Sequence, residues 1–442
     1  MPNKKILSIL FLDVISLLIS HLAANSRGFA DFYSHNIYRT VSLAVSSLTG
    51  LMPFSLTEIL LYVLIVFVIW DFAKSMRGSI TDFREYKNKT SGMSCSKKTR
   101  IPYNSLKPMA HFAGNLFLIA SILFALYVFN CGINYRRTGF SVEAGIPGYD
   151  TSSPRNDADA DLVELCEYLV ENINLTEEQL LINSQLSDGS SLASGIYGEN
   201  EQPDTPISES ENRSYSGCDM TLSPVKLYNS AFLGETFASE RASAGCLWET
   251  GKLGQEAMEK LGTRFSRLSG HYPFPKPLIN SWILSIQQVT GVYSPFTIEA
   301  NYNRDIPYYD IPFTVCHELS HLRGYMQEEE ANFIAVLATI GSGDLYFNYS
   351  GYVSAWVYAG NALAKTDREK FSELYLKINP YTRQDMMYNN EFWNRYDTKV
   401  AEAHEELNDA YLKYNGQTSG VQSYGHVVDL MLTYFKENRS LN

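Results

Sequence analysis

The stretch IPFTVCHELSHLRGYMQEEEANF, residues 311–333, contains an H-E-x-x-H motif whose two histidines are His317 and His321. Residues four positions apart lie on the same face of a helix, so both imidazoles can reach one metal ion. Pro312 suits the first turn of that helix, and Gly324 suits its end. We therefore predict a helix of about three turns that presents two nitrogen ligands to one metal.

Glu318, inside the motif, lies beside the face that carries the histidines. From that position its carboxylate can accept a proton from a metal-bound water molecule. Zinc binds nitrogen, sulfur and oxygen ligands, and catalytic zinc keeps its fourth coordination position open for water. The motif therefore predicts a catalytic Zn²⁺ site with Glu318 as the general base, and this site requires a third protein ligand.

The third ligand is expected from the next helix, whose first turn carries three glutamates. Gln327 stands where an H-E-x-x-H-x-x-G-x-x-H site has its last histidine, so the metzincin arrangement fails there. Glu328 begins an E-x-x-A-N sequence that resembles the E-x-x-A-D of gluzincin peptidases, and we take it as the ligand. Glu329 and Glu330 are alternatives, because acidic residues in a first turn also suit the helix dipole. Asn332, one turn later, can accept a hydrogen bond from the outer nitrogen of a liganding histidine.

Several polar residues farther along the chain are weaker candidates for the site. Tyr352, Tyr424 and His426 are candidate oxyanion donors, and a structural role is the alternative for each. His404 lies in the charged stretch TKVAEAHEELNDAYLKY, which indicates a solvent-exposed helix face.

The region around the motif shows mainly helical periodicity, and helices are predicted at about 157–181, 257–268 and 278–289. A strand is predicted at 297–303, TIEANYN, where it would form the edge of a substrate cleft. An ordinary buried strand is the alternative. Residues 184–222 are rich in Ser, Gly, Asp, Glu and Asn, which predicts a flexible surface insertion.

Three apolar runs near the amino terminus approach the length of about 20 residues that a membrane-crossing helix needs. They are residues 6–24, 56–73 and 109–131. Ser55 and Glu58 form a Ser-x-x-Glu capping box in front of the second run, which predicts a helix start there. Ala23-Ala24 resembles a small-residue cleavage site, so a removed signal peptide is the alternative to a retained first helix.

The chain is electrically asymmetric. Residues 1–140 contain 15 Lys and Arg against 6 Asp and Glu, whereas the whole chain has a net charge of −12, which argues against a nucleic-acid partner. The segment 74–107 has nine basic residues against two acidic ones, and such loops stay in the cytoplasm. We therefore predict a membrane anchor, residues 1–137, whose loop 74–107 is cytoplasmic, and an extracytoplasmic domain, residues 138–442.

The six cysteines show no C-x-x-C spacing, so a cysteine zinc site is not supported. A disulfide between Cys218 and Cys246 would suit an oxidising compartment, but the sequence does not establish the pairing. The oligomeric state is also left open.

Motifs along nearly the whole chain, outside 184–222, resemble the bacterial domain of unknown function 3810 family. Besides the apolar runs, the motifs are PFSLTEI at 53–59, YPFPKP at 272–277, GVYSPFTIEANYN at 291–303, IPFTVCHELSHLRG at 311–324, EEEANF at 328–333, YSGYVSA at 349–355 and GVQSYGHVVDLML at 420–432. The resemblance implies a membrane-anchored, zinc-peptidase-like protein and leaves the substrate unnamed.

These observations predict a mainly α-helical protein with amino-terminal transmembrane helices, followed by a predominantly helical, zincin-like (α+β) metallopeptidase domain with a short edge sheet. The predicted function is that of a multi-pass, membrane-anchored zinc metallopeptidase, acting on a peptide or protein substrate outside the cytoplasmic membrane. A non-catalytic, zinc-stabilised sensor or scaffold is the alternative, although a structural site has no use for the Glu318 base. An intramembrane protease is disfavoured because no apolar span surrounds the motif.

Overall fold

The computed structural model describes residues 2–90, 103–146, 158–187, 244–415, 417 and 424–442. Within these ranges the chain is mainly helical, as predicted, and it contains one small sheet. Cys218 and most of the predicted insertion 184–222 lie outside the described residues.

The helices are, in chain order, α1 (Pro2–Asn25), α2 (Arg27–Phe32), α3 (Arg39–Thr49), α4 (Leu56–Thr90), α5 (Tyr103–Tyr127), α6 (Phe140–Glu143), α7 (Ala158–Ser187), α8 (Ala244–Arg264), α9 (Trp282–Ser285), α10 (Asp310–His321), α11 (Glu328–Ile340), α12 (Leu345–Thr366), α13 (Arg368–Lys377), α14 (Pro380–Asn394), α15 (Lys399–Tyr414) and α16 (Tyr424–Asn438). A π-helical segment, Tyr33–Tyr38, joins α2 to α3, so residues 27–49 form one continuous helical rod.

Helices α1, α4 and α5 contain the three predicted apolar runs, and each is long and apolar enough to cross a membrane. The candidate spans are Lys4–Asn25, Leu56–Asn88 and Ser105–Arg136. Large apolar side chains such as Phe11 and Val66 are exposed on these helices, as expected of surfaces that face lipid hydrocarbon.

A chain of polar side chains connects the three membrane helices. Lys5 Nζ of α1 donates to Asn115 Oδ1 of α5 (2.5 Å), and Asn115 Nδ2 donates to Asp71 Oδ2 of α4 (2.8 Å). Polar groups without partners are costly in hydrocarbon, and α1 contributes a donor to the network that α4 and α5 share. The three helices are therefore joined by side-chain hydrogen bonds.

The rod formed by α2 and α3 packs against the carboxy-terminal part of the chain. Tyr38 is fully buried, and its hydroxyl lies 3.0 Å from that of Tyr293. Lys276, also buried, donates from Nζ to the carbonyl oxygens of Thr49 and Met52. The predicted membrane anchor and the predicted outer domain therefore share a core.

The start of α4 is held by the same part of the chain. Ser55 Oγ accepts from the Glu58 N–H (3.1 Å), which is one half of the predicted capping box. The Glu58 carboxylate accepts instead from the N–H groups of Ile279 and Asn280, at 2.9 Å each. Glu299 accepts from the first two N–H groups of α4 (3.1 and 2.8 Å) and so places a negative charge at the positive end of the helix dipole.

The sheet has three strands, β1 (Lys276–Pro277), β2 (Gly291–Ser294) and β3 (Glu299–Tyr302). Their order is β1-β3-β2, with β1 parallel and β2 antiparallel to β3. The prediction of 297–303 as the cleft edge is wrong, because β3 is paired on both sides and is buried throughout. In this three-stranded order, β2 is the edge strand next to β3.

Two of the predicted helices are observed and the third is not. The predictions at 157–181 and 257–268 correspond to α7 and to the end of α8, but the helix predicted at 278–289 is reduced to the single turn α9. The first N–H groups of that segment bind the distant Glu58. Its last turn is broken at Gln288, whose φ of 55° is a left-handed conformation that a right-handed helix excludes.

Helix α11 forms the centre of the core, and every residue from Glu329 to Ile340 is buried. Helices α10 and α12 pack against it, and α8, β2 and β3 pack against α10. This packing surrounds the H-E-x-x-H motif and places it beside the first turn of α11.

Candidate metal centre

The motif histidines lie on one face of α10, and their Nε2 atoms are 3.1 Å apart. Three residues after the helix comes Gly324, whose φ of 86° is a left-handed conformation that glycine adopts without steric cost. The chain therefore turns sharply and brings the first turn of α11 back to the histidines.

Glu328, the first residue of α11, completes a group of three metal-binding side chains with His317 and His321. Its Oε2 lies 3.3 Å from His317 Nε2, and its Oε1 lies 3.8 Å from His321 Nε2. Ligand atoms around tetrahedral zinc are about 3.3 Å apart when each bond is about 2.0–2.1 Å. Two nitrogens and one carboxylate oxygen at these separations therefore fit zinc.

The two neighbouring glutamates have other partners. Glu329 Oε2 accepts from Gln417 Nε2 (2.5 Å). Glu330 Oε1 accepts from the Phe140 N–H (2.6 Å). Of the three glutamates that the sequence offers, the structure brings Glu328 to the histidines.

The outer nitrogen of each imidazole is held by a hydrogen-bond acceptor. His317 Nδ1 lies 2.8 Å from Asn332 Oδ1, and His321 Nδ1 lies 2.7 Å from the Tyr325 carbonyl oxygen. Both acceptors require a proton on Nδ1, so each imidazole presents its Nε2 to the group and can bind a metal there once that nitrogen is deprotonated. Asn332 thus occupies the supporting position expected of it, with an amide oxygen as the acceptor.

The charges within this group are strongly coupled. Burial opposes protonation of His317, but the hydrogen bond and charge of Glu328 outweigh burial and raise the pKa of His317 to about 9. Burial and the neighbouring charge of His317 lower the pKa of His321 to about 4. Burial would raise the pKa of Glu328, but its bond to His317 lowers it. The Glu328 carboxylate and the two imidazoles thus share one proton, and a bound cation would displace that proton.

The Glu318 carboxylate is buried beside this group. Burial raises its pKa to about 8, against a backbone hydrogen bond from Tyr293. Its Oε2 has no hydrogen-bond partner among the described residues. Gly291 of β2 makes room for it, because a Cβ at that position would lie 2.5 Å from Glu318 Oε1. Glu318 therefore keeps one oxygen available for chemistry.

The triad and Glu318 line one cavity of about 510 Å³. Gly291, Val292 and Tyr293 of the edge strand β2 form one side of it, and Trp393 of α14 lies among the residues of the other side. The cavity is therefore bounded by a strand edge and by helices from the carboxy-terminal third of the chain.

The comparison with protein families covers most of the chain. The family described as "Protein of unknown function (DUF3810)" matches residues 33–432. The chain belongs to the DUF3810 family. This confirms the family predicted from the motifs, and the family's description assigns it no activity. No curated protein and no solved structure matches the chain.

The oxyanion candidates predicted for this DUF3810 chain lie in different settings. Tyr352 packs against Tyr168, with ring centroids 6.2 Å apart, and is not among the described residues that line the cavity. His426, in α16, is not among them either. Tyr424 begins α16, and its side chain is outside the described part of the structure. Tyr358, one and a half turns after Tyr352 on α12, does line the cavity.

The charged stretch around His404 is largely exposed, as predicted, but His404 itself is half-buried. His404 lines the cavity of the DUF3810 chain together with Asn408 and Tyr411. These residues are four and seven positions apart, so they share one face of α15. The spacing could have indicated a common face, but the charged sequence gave no sign that this face meets the metal-binding group.

Proposed function

We propose that this protein is a membrane-anchored zinc metallopeptidase that hydrolyses peptide bonds outside the cytoplasmic membrane. The observation that carries the proposal is the meeting of three zinc-type ligands and a buried, partly unpartnered carboxylate in one cavity. His317, His321 and Glu328 would hold the metal, and Glu318 would act on the substrate water. Peptide hydrolysis is the reaction class for which this combination is best suited.

Zinc, when bound, supplies Lewis-acid chemistry that lowers the pKa of water and polarises a carbonyl oxygen. Glu318 takes the proton of the attacking water as the carbon–oxygen bond forms. It then gives that proton to the amine nitrogen as the carbon–nitrogen bond breaks. The space left by the missing side chain of Gly291 accommodates the carboxylate, and the Tyr293 N–H holds it in one position for both transfers.

The edge strand β2 supports an extended peptide as the substrate. Gly291, Val292 and Tyr293 border the cavity, and among the described residues β2 pairs with a strand, β3, on one side only. A peptide in extended conformation can add to such an edge through backbone hydrogen bonds, with pockets for alternate side chains. The substrate class is therefore a peptide or an unfolded protein segment.

The open cavity distinguishes this proposal from a zinc-stabilised scaffold. Structural zinc sites are closed by four protein ligands, whereas catalytic sites use three and leave one position open. Among the described residues, three side chains meet the distance requirement for a shared metal. Burying Glu318 beside them is costly and brings a scaffold no benefit.

The proposed location rests on charge and on packing. The basic segment 74–107 favours the cytoplasm. The rod 27–49, which lies between the first and second membrane spans, packs against the domain that holds the metal site. The rod follows one span and the domain follows three, so with a cytoplasmic amino terminus both parts lie on the outer side.

The test compares Glu318→Gln with His317→Ala in the full-length protein purified in detergent. We expect Glu318→Gln to keep its zinc and its fold while hydrolysis of a complex peptide mixture, followed by mass spectrometry, falls by roughly 10²-fold. His317→Ala should lose both zinc and hydrolysis. Glu329→Gln serves as the matched control, because Glu329 neighbours the ligand but bonds Gln417.

Two results would contradict the proposal. One is full hydrolysis by Glu318→Gln, and the other is zinc bound equally well by His317→Ala and the wild type. If Glu318→Gln complements a null strain in an assay that His317→Ala fails, the site needs its metal but not its base, and the scaffold function replaces the peptidase.

A further inference from the structure

A second polar pocket lies behind the metal site, between the rod 27–49 and the end of the motif helix. Its walls carry four arginines and one histidine from distant parts of the chain. They are Arg39, Arg137, Arg267, Arg323 and His35. Ser34, Tyr38 and Ser42 complete the lining. The pocket is separate from the zinc group, and its argument does not depend on peptidase activity.

Positive charge in this pocket exceeds negative charge. Glu143 is the one carboxylate within 4 Å of these four guanidinium groups among the described residues. It accepts from Arg137 (2.6 Å), lies 2.7 Å from His35 Nε2 and accepts from the Tyr325 hydroxyl (2.7 Å). Its oxygens are therefore engaged, and the charges of Arg39 and Arg323 have no carboxylate partner within that distance.

Several donors of the pocket are buried without a partner. Ser34 is 3% exposed, and its Oγ has no hydrogen-bond partner among the described residues. The same holds for Nε of Arg137 and of Arg323, each in a residue that is 7% exposed. Arg323 uses another nitrogen to bond the His271 carbonyl (2.7 Å) and stacks on Tyr272, so its position is fixed. Asn134 Oδ1 is an unpaired acceptor beside Ser34 and Arg137, so Arg323 Nε is the donor that most lacks an acceptor, and buried polar groups normally find partners.

Two glycines with left-handed backbones lie beside residues that line the pocket. A Cβ at Gly324 (φ 86°) would lie 3.1 Å from Ser34 Oγ and 3.2 Å from an Arg137 nitrogen. A Cβ at Gly270 (φ 110°) would lie 3.3 Å from an Arg323 nitrogen. The cavity among the donors is about 10 Å³, which gives room for a single oxygen atom. A larger group would place one oxygen inside and the others at the mouth, where Arg267 is half exposed.

The geometry points to a binding site for a phosphate-type anion, with one phosphate oxygen at Ser34 and Arg323 and the others at Arg39 and Arg267. Guanidinium groups bind phosphate oxygens through charge-assisted hydrogen bonds, often in pairs. Such a ligand would neutralise the excess charge and provide acceptors for the unpaired donors. A neutral ligand would provide acceptors but would leave the excess positive charge in place.

The surroundings suggest two sources of the phosphate. The rod 27–49 lies between two membrane-crossing helices, and its other side exposes apolar residues. They are Phe32, Ile37, Val41 and Leu48. An amphipathic helix of this kind lies in the membrane interface, at the depth of phospholipid head groups. The ligand is therefore either a head-group phosphate or a soluble phosphate, and the chemistry of recognition is the same.

The experiment uses the full-length protein, purified in detergent in phosphate-free buffer. Thermal unfolding is measured with increasing inorganic phosphate, and separately with monomeric dihexanoyl phosphatidylglycerol, at constant ionic strength. The test variant is Arg39→Gln with Arg267→Gln, because both residues lie nearer the surface than Arg137 and Arg323. The control is Arg368→Gln with Lys399→Gln, which removes two exposed positive charges elsewhere.

We expect the wild type and the control to be stabilised by at least one of the two probes, and the test variant to bind that probe at least tenfold more weakly. Stabilisation by inorganic phosphate identifies a soluble anion as sufficient, whereas stabilisation by the phospholipid alone identifies the head group. The proposal is overturned if neither probe stabilises the wild type, or if the test variant and the control respond equally. A single cooperative unfolding transition without added probe reports whether each variant is folded.

Discussion

At the metal centre, each of the two imidazoles has its own hydrogen-bond partner. Asn332 and the Tyr325 carbonyl hold the outer nitrogens of the two imidazoles. Partners of this kind fix the tautomer and the ring orientation, and their loss typically weakens metal binding about 10- to 100-fold. Glu318 has a different kind of support, because a missing side chain at Gly291 gives its carboxylate the space that it occupies.

Gly291→Ala tests that space. The new Cβ would lie 2.5 Å from Glu318 Oε1, so the carboxylate must move. A displacement of about 1 Å in a catalytic group can lower the rate by about 10²-fold, and we expect peptide hydrolysis to fall by that order. Zinc content, measured by atomic absorption, should stay unchanged because Glu318 is not a ligand.

Gly28→Ala is the matched control, since no atom lies within 4 Å of a Cβ built there. Its hydrolysis rate should equal that of the wild type. Unchanged hydrolysis by Gly291→Ala would show that Glu318 does not need its observed position.

Sequence spacing predicted the residues of the centre that are close together along the chain. His317, His321, Glu328 and Asn332 lie within two adjoining helices, where helical periodicity determines which side chains share a face. Gly291 and His404 could not be predicted, because they reach the cavity from β2 and α15. Their positions depend on tertiary packing, which no local pattern specifies.

Between elements, the charge of Asp385 on α14 acts on Asp310 at the start of α10. Asp310 begins α10 and lines the cavity, and Asp385 of α14 accepts from the Tyr349 hydroxyl (2.6 Å). Burial raises the pKa of both groups above the ordinary value of 3.8, and the charge of Asp385 raises that of Asp310 further. Glu177 of α7 adds a third acidic group and raises the pKa of Asp385.

These groups predict that the folded protein loses stability as the pH rises. Their folded pKa values, about 7, exceed 3.8, so the native state binds more protons than the unfolded state between about pH 4 and pH 7. Stability therefore falls across that window as the carboxyl groups ionise in the core. We expect a lower unfolding midpoint at pH 8 than at pH 5 in detergent, by about 2 °C or more.

Asp385→Asn should flatten this dependence, because its amide can still accept from Tyr349 but carries no charge. Asp397→Asn, at an exposed position, should leave the dependence as it is. Equal slopes for the two variants would mean that other groups cause the pH dependence.

The elements were predictable to different degrees for physical reasons. The membrane helices follow from composition alone, because only long apolar helices satisfy their backbone in lipid. The helix predicted at 278–289 does not form, because its first N–H groups donate to Glu58. The strand predicted as an edge at 297–303 is central, because β1 pairs with its other side. Local periodicity specifies neither of these distant partners.

In the whole molecule, orientation across the membrane decides where the site works. A reporter fused after residue 90 should be cytoplasmic, given the basic segment 74–107, and one fused after residue 442 should be external. The readout is a pair of reporter enzymes, one active only in the cytoplasm and the other only on the outer side of the membrane. If both fusions report the same side, the metal site is not extracytoplasmic and the proposed location is wrong.

The contacts of Glu299 and Lys276 with the beginning of the chain also set an order of biogenesis. Glu299 caps α4 from 243 positions away along the sequence, and Lys276 reaches Thr49 across 227 positions. If the first two candidate spans enter the bilayer as they emerge from the ribosome, as proposed, they do so long before these partners are synthesised. The late segments would then complete their folding on an inserted template, and a chain whose first spans fail to insert would leave a buried lysine and a buried glutamate without their counterparts.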